Sequence, residues 1–137
     1  MDTMKDLTPE TLKQQVHDFW NEQSCYTPVT KAAKFTREYF EEIESFRYFD
    51  QPFIHSFAQF SRYHGKRVLE VGFGAGTDFI QWLRAGARTS GIDLTPEALE
   101  NVRHRIQTYD LPARGTADTP IIAAPNCTHV MTFEIAN

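Results

Sequence analysis

The sequence predicts an α/β fold in which an N-terminal helical segment precedes a parallel strand–helix–strand–helix unit. Three observations carry this. Val68 to Val71 is a short apolar run interrupted only by Glu70, which reads as a buried parallel strand, and it leads directly into Gly72, Gly74 and Gly76. A second strand, Arg88 to Asp93, ends in an acid and is followed at once by the helix start Thr95-Pro96-Glu97. Strand, helix, strand and helix at this spacing argue a right-handed parallel crossover.

The elements before that unit read as helices. Thr8-Pro9-Glu10 supplies a cap, a residue suited to the first turn and a negative charge at the positive end. The helix it starts runs to about Trp20, with Leu12, Val16, Phe19 and Trp20 on one face. Cys25 to Thr30, with Pro28, reads as a loop. A second helix is expected over Lys31 to Asp50, rich in aromatics: Phe35, Tyr39, Phe40, Phe46, Tyr48 and Phe49. These rings are expected to pack a lid against the domain; a sharper alternative has Tyr39, Arg47 or Tyr48 closing over a ligand. Pro52 to Tyr63 reads as a third helix with Phe53, Phe57 and Phe60 on its apolar stripe, ended by Gly65.

The later elements follow in order. Asp78 to Ala85 is helical and stops at Gly86. The helix from Thr95 to Tyr109 buries Ala98, Leu99, Val102 and Ile106, and Arg103 and Arg105 read as its solvated face. Leu111 to Asp118 is a shortened third-strand region, and His129 to Ile135 a fourth strand.

The glycine loop decides the chemistry. Glycines at this spacing let the chain turn without a Cβ and let a ligand approach the backbone, while the following helix directs unpaired N–H groups at the same place. A dinucleotide fingerprint, G-x-G-x-x-G, would need a third glycine at position 77, which is Thr77. The spacing here is G-x-G-x-G, two residues after Glu70. A pyrophosphate is a poor neighbour for that carboxylate and a cation a good one. An unpaired carboxylate in an apolar strand costs several kcal/mol, so ligand-site involvement is the better explanation than a core salt bridge. Asp93, about 20 residues on at the tip of the second strand, is placed to accept hydrogen bonds from ribose hydroxyls rather than only to cap a helix. Thr77 and Asp78 are equally well read as caps of the helix they open.

Glu70, G-x-G-x-G and Asp93 together resemble motif I and the ribose-binding acid of class I S-adenosylmethionine (SAM) methyltransferases. Phe19-Trp-Asn-Glu-Gln-Ser-Cys25, ahead of an aromatic, arginine-containing helix, is similar to a bacterial group of that family. The resemblance covers about Val16 to Leu111. It implies a Rossmann-like class I methyltransferase fold with a helical lid over 1–64 and a SAM-binding domain over 65–137. It also implies a sheet incomplete beyond strand four, since the family has seven strands. Thr116 stands where the family has an acid near the adenine, with Asp118 close by. The implied cofactor-binding residues are Glu70, Gly72, Phe73, Gly74, Gly76, Asp93 and Leu94. Phe73 and Ala75 would contribute backbone only, and Leu94 would pack near the adenine. No catalytic base is implied.

Composition narrows the partners. The 137 residues suffice for one small domain, with 41% hydrophobic and 23% charged residues, ordinary for a globular chain. A net charge of −4 gives no case for nucleic acid or an anionic membrane, leaving a small-molecule methyl acceptor as the expected substrate. Cys25 and Cys127 form no C-x-x-C and read as free thiols, and the five histidines lack metal-ligand spacing. No leader-like apolar region or membrane span is apparent, so a cytoplasmic location is expected. A sheet ending at strand four would expose an edge, which predicts dimerisation. The rival to an active methyltransferase is a non-catalytic SAM-binding fragment; an NAD-binding domain is disfavoured by Thr77.

Overall fold

The computed structural model describes residues 8–111, 113–117 and 129–135. Among them the chain is a mixed α/β structure. Helices α1 (Pro9–Glu22), α2 (Arg37–Asp50) and α3 (Ile54–Ala58) precede strand β1 (Arg67–Val71), α4 (Thr77–Arg84), β2 (Arg88–Asp93) and α5 (Pro96–Thr108). Strands β3 (Ala113–Ala117) and β4 (His129–Ile135) follow. Short 3-10 turns cover Thr27–Val29 and Phe60–Tyr63.

Threonine caps set three of the helix starts. Thr8, Thr36 and Thr95 each accept a backbone N–H three residues on, from Thr11, Tyr39 and Ala98. The second helix therefore starts at Arg37, not Lys31. Phe35, in the left-handed region at φ 66°, keeps the preceding segment irregular. The expected third helix is broken as well, because Gln59 is left-handed at φ 51°. The break divides its aromatic stripe: Phe60 is buried, whereas Phe53 and Phe57 are 60% and 87% exposed. In α1 the stripe forms as read, yet none of the helix's 14 residues is buried.

The four strands lie in the order β1-β2-β4-β3. β1 and β2 pair in parallel, from Arg67 opposite Arg88 to Val71 opposite Ile92. The other pairs are antiparallel, β4 against β2 and β3 against β4. The expectation of one parallel sheet is thus corrected beyond the first pair. The 11 residues linking β3 to β4 include Pro120 and Pro125. Antiparallel neighbours need no crossover helix between them.

One core packs Phe73, Phe79, Ile80, Leu83, Ala98, Leu99 and Val102 between the glycine loop, α4 and α5. A second gathers Tyr39, Phe40 and Ile43 of α2 around Ala75 of the same loop. The loop is thereby held from both sides. Glycine at 91 lets this packing close: a Cβ there would stand 2.6 Å from Phe73 and 2.7 Å from Phe79. The opposite face of β1 is exposed. Leu69 and Val71 are 58% and 75% exposed, so β1 is not the fully buried strand its apolar run suggested. The reason is one-sided cover, with α4 and α5 on the face of Val68, Glu70 and Gly91.

Candidate functional site

The glycine loop leaves β1 at Gly72 and enters α4 at Thr77, with Gly72, Gly74 and Gly76 all left-handed (φ 75°, 49° and 74°). Gly76 is the N-cap of α4 and brings no side-chain cap. Two cavities meet on the loop and share Cys25, Gly72 and Gly74. One, about 230 Å³, adds Asp93, Leu94, Thr95 and Trp20. The other, about 160 Å³, adds Glu70, Phe73, Asp78, Arg47 and Tyr26. Every residue singled out in the sequence as cofactor-binding except Gly76 lines one or both. A larger groove of about 580 Å³ lies on the outer side of α2, along Glu38, Glu42, Phe46 and Phe49. It shares no lining residue with either loop cavity.

Asp93 is fastened into the loop. Its Oδ2 accepts the Gly74 N–H at 2.9 Å, and its Oδ1 accepts the Thr95 N–H at 3.0 Å and the Thr95 hydroxyl at 3.1 Å. A carboxylate has about four lone-pair sites. Three are engaged, so Asp93 fixes the loop and the α5 start while keeping acceptor capacity toward the larger cavity.

Glu70 sits at the other end. Its Oε2 accepts the Trp82 indole N–H at 3.0 Å. Burial, aided by the nearby Asp78 charge, pushes its carboxyl from 4.5 up to about 8. Trp82 was not foreseen as its partner; a tryptophan one helical turn inside α4 gave no signal of that role.

Thr77 and Asp78 do not cap α4; they fasten it to other helices. Asp78 accepts Arg47 Nε at 3.1–3.2 Å, a closer bond from Arg47 Nη2, and the Tyr48 hydroxyl at 2.9 Å. Burial opposes the Arg47 charge, but Asp78 outweighs it and the guanidinium titrates above its usual range. Burial raises Tyr48 far above the ordinary phenol value. Of the three α2 residues considered for closing over a ligand, Arg47 and Tyr48 thus reach the start of α4. Tyr39 stays in the second core, where burial pushes it to about 12.

Arg105 overturns its reading as a solvated residue. It is fully buried, donating from Nε to the Ala75 carbonyl at 2.7 Å and from Nη2 to the Thr77 hydroxyl at 3.0 Å. Its guanidinium lies over the Phe40 ring and 3.6 Å from Glu44 Oε2. Arginines two apart in a helix differ in facing by about 200°, so Arg103 faces out, paired with Glu100, as Arg105 faces in.

Cys25 is a free, exposed thiol; Cys127 lies outside the described residues. His129 belongs to β4, and Thr116 to β3; Asp118 lies outside the described residues. No group of three or more His, Cys, Asp or Glu side chains placed to hold a metal occurs among the described residues.

No family model, no curated protein and no solved structure matches the chain.

Proposed function

We propose that this chain binds SAM on its glycine loop in a Rossmann-like domain of class I methyltransferase type, and transfers the methyl group to a small-molecule acceptor. The observation that carries this reading is the pair of adjoining cavities on the loop, one lined by Glu70 and Asp78 and the other by Asp93 and Leu94. The donor set fits the ligand. Glu70 has no ion-pair partner among the described residues; burial raises its carboxyl to about 8, and a cation bound beside it would favour the ionised form. Asp93 retains acceptor capacity for ribose hydroxyls, with Leu94 and Trp20 beside it as apolar walls for a base.

Bound SAM would supply a methyl carbon activated by its sulfonium, with a neutral thioether as the leaving group. The chain's work is to orient and to exclude water. Asp93 holds the loop, Glu70 orders the cationic end, and α2 covers that end through Arg47 and Tyr48.

A second reading, SAM binding without turnover, is favoured by the bare sheet face at Leu69 and Val71. Parallel sheets of this class carry helices on both faces. Among the described residues β1 is also an edge strand, along which a second copy would pair. Negative charge argues against nucleic acid, and no described helix is long and apolar enough to cross a membrane. A cytoplasmic location accords with this reading.

Calorimetric titration of SAM and S-adenosylhomocysteine, with Asp93→Ala alongside, tests it. Micromolar binding lost in the variant is expected; a folded wild-type chain that binds neither would overturn the proposal. Methyl release to a panel of small acceptors then separates the two readings.

A further inference from the structure

Two exposed surfaces outside the glycine loop are complementary to each other. The first is the outer face of β1 and β2. The alternation that turns Val68, Glu70 and Gly91 toward α4 and α5 turns Arg67, Leu69, Val71 and Arg88 the other way, and all four are exposed. Arg67 and Arg88 are partners in the strand register, so two cations stand side by side at one end of this face. Neither guanidinium has an ion-pair partner among the described residues, and like charges on neighbouring strands repel. Leu69 and Val71 continue the face as an apolar end.

The second surface is the outer face of α2. Tyr39, Phe40 and Ile43 are buried on one side of this helix, whereas Glu38, Glu42, Ser45 and Phe49, at helical spacing, are exposed on the other. With Phe46 and Val29 they line the groove of about 580 Å³. Glu38 has no ion-pair partner among the described residues, Glu42 accepts only the Thr30 hydroxyl, and Glu41 beside them pairs with Arg37 at 3.7 Å. Phe49, at 83% exposure, is nearly as open as in an unfolded chain. Acids followed by aromatics along α2 thus answer arginines followed by aliphatics along β1. The lengths agree as well: the helix rises about 16 Å from Glu38 to Phe49, and the strand spans about 13 Å from Arg67 to Val71.

We propose that α2 of one copy of this chain lies across the β1–β2 face of another, with Glu38 and Glu42 against Arg67 and Arg88, and Phe46 and Phe49 against Leu69 and Val71. A parallel strand pair with helices on one face only leaves apolar surface in water, and the second copy supplies the missing helix. The two surfaces cannot satisfy each other within one chain. The inner side of α2 reaches α4 through Tyr48 and α5 through Phe40, and those helices lie on the far side of the sheet from Leu69 and Val71. The contact is therefore head-to-tail. Each pairing leaves one surface of each kind open, so further copies add unless the rotation between them closes a ring. This contact differs from pairing along the edge of β1 and does not depend on the methyltransferase reading.

Sedimentation of the full chain over a range of concentrations tests this, with two charge-reversal variants. One carries Glu38→Lys with Glu42→Lys, the other Arg67→Glu with Arg88→Glu. The wild type is expected to form dimers at low concentration and larger species as concentration rises, with association weakened by salt. Each variant alone should be monomeric, because its two surfaces then carry like charge. An equimolar mixture of the two should regain association, since each presents the charge the other needs. A cooperative thermal melt shows that a variant is folded; where a double variant does not fold, Glu38→Lys and Arg67→Glu take its place in the same comparison. Association that persists in the helix variant alone overturns the proposal and places the contact on β1 itself. A mixture that stays monomeric, or a monomeric wild type, overturns it as well.

Discussion

Asp93 Oδ2 accepts the Gly74 N–H at 2.9 Å, so the tip of β2 holds the loop that leaves β1. The same carboxylate orders Thr95, the N-cap of α5. Removing it orphans a loop donor and loosens a helix cap together. Asp93→Ala is therefore expected to lower stability by about 1–3 kcal/mol in urea unfolding, besides abolishing ligand binding. Loss of binding with unchanged stability would show that the brace is energetically idle.

Glu70 makes the unliganded fold sensitive to alkali. Because its folded pKa lies above its unfolded value, the folded chain holds the extra proton between about pH 4.5 and 8. Stability then falls as pH rises through that window and levels above it. The groups acting on it are Asp78 and Trp82 of α4, Arg47 of α2 and Asp93 of β2. Glu70→Gln is expected to match the wild type near pH 4.5 and exceed it by about 2–4 kcal/mol at pH 8.5. Denaturation midpoints across pH check this, and a difference independent of pH would contradict it.

Gly76 and Gly72 separate two costs of substitution. Both are left-handed, but a Cβ on Gly76 would stand 2.6 Å from Val102 Cγ2, while one on Gly72 meets nothing within 4 Å. Gly72→Ala should cost about 1–2 kcal/mol, the backbone term alone. Gly76→Ala should cost about 1–3 kcal/mol more through overpacking. Equal melting temperatures for the two variants would count against this arrangement of loop and α5.

Arg105 is expected to be among the most costly polar residues to remove. Arg105→Met strips the Ala75 carbonyl and the Thr77 hydroxyl of a donor and takes the farther of two cations from Glu44, which keeps Arg84 at 2.7 Å; a cost of about 2–4 kcal/mol is expected. Combining it with Glu44→Gln should cost slightly less than the two separately, by the weak 3.6 Å attraction that both changes remove. A double-mutant cycle reads this coupling.

The bare face of β1 should drive self-association. Size-exclusion chromatography is expected to show a dimer, and Val71→Lys a monomer of equal stability, since Val71 touches no core. A wild-type chain eluting as a sharp monomer would contradict this.

What the sequence could show follows from the range of each interaction. Threonine–proline–glutamate starts at Thr8 and Thr95 are local chemistry and appear where they were read. Glu70, the glycines and Asp93 are brought to one loop because parallel strands end together. The failures are long-range. Arg105 looked solvated because its partner, the Ala75 carbonyl, is 30 residues away. The aromatic stripe of Phe53, Phe57 and Phe60 was undone by one left-handed residue, Gln59, which no periodicity discloses. The antiparallel return of β4 beside β2 depends on strand pairing, which apolar runs alone do not encode.

The chain has two tryptophans, Trp20 on the exposed helix α1 and Trp82 bonded to Glu70. They stand at opposite ends of the glycine loop, so the protein carries its own pair of optical reporters. Quenching of Trp20 would register occupancy beside Asp93, and a spectral shift of Trp82 would register the ionisation of Glu70. Replacing either with phenylalanine leaves a single emitter. The order in which the two halves of a ligand settle then becomes a matter of stopped-flow fluorescence, with no label attached.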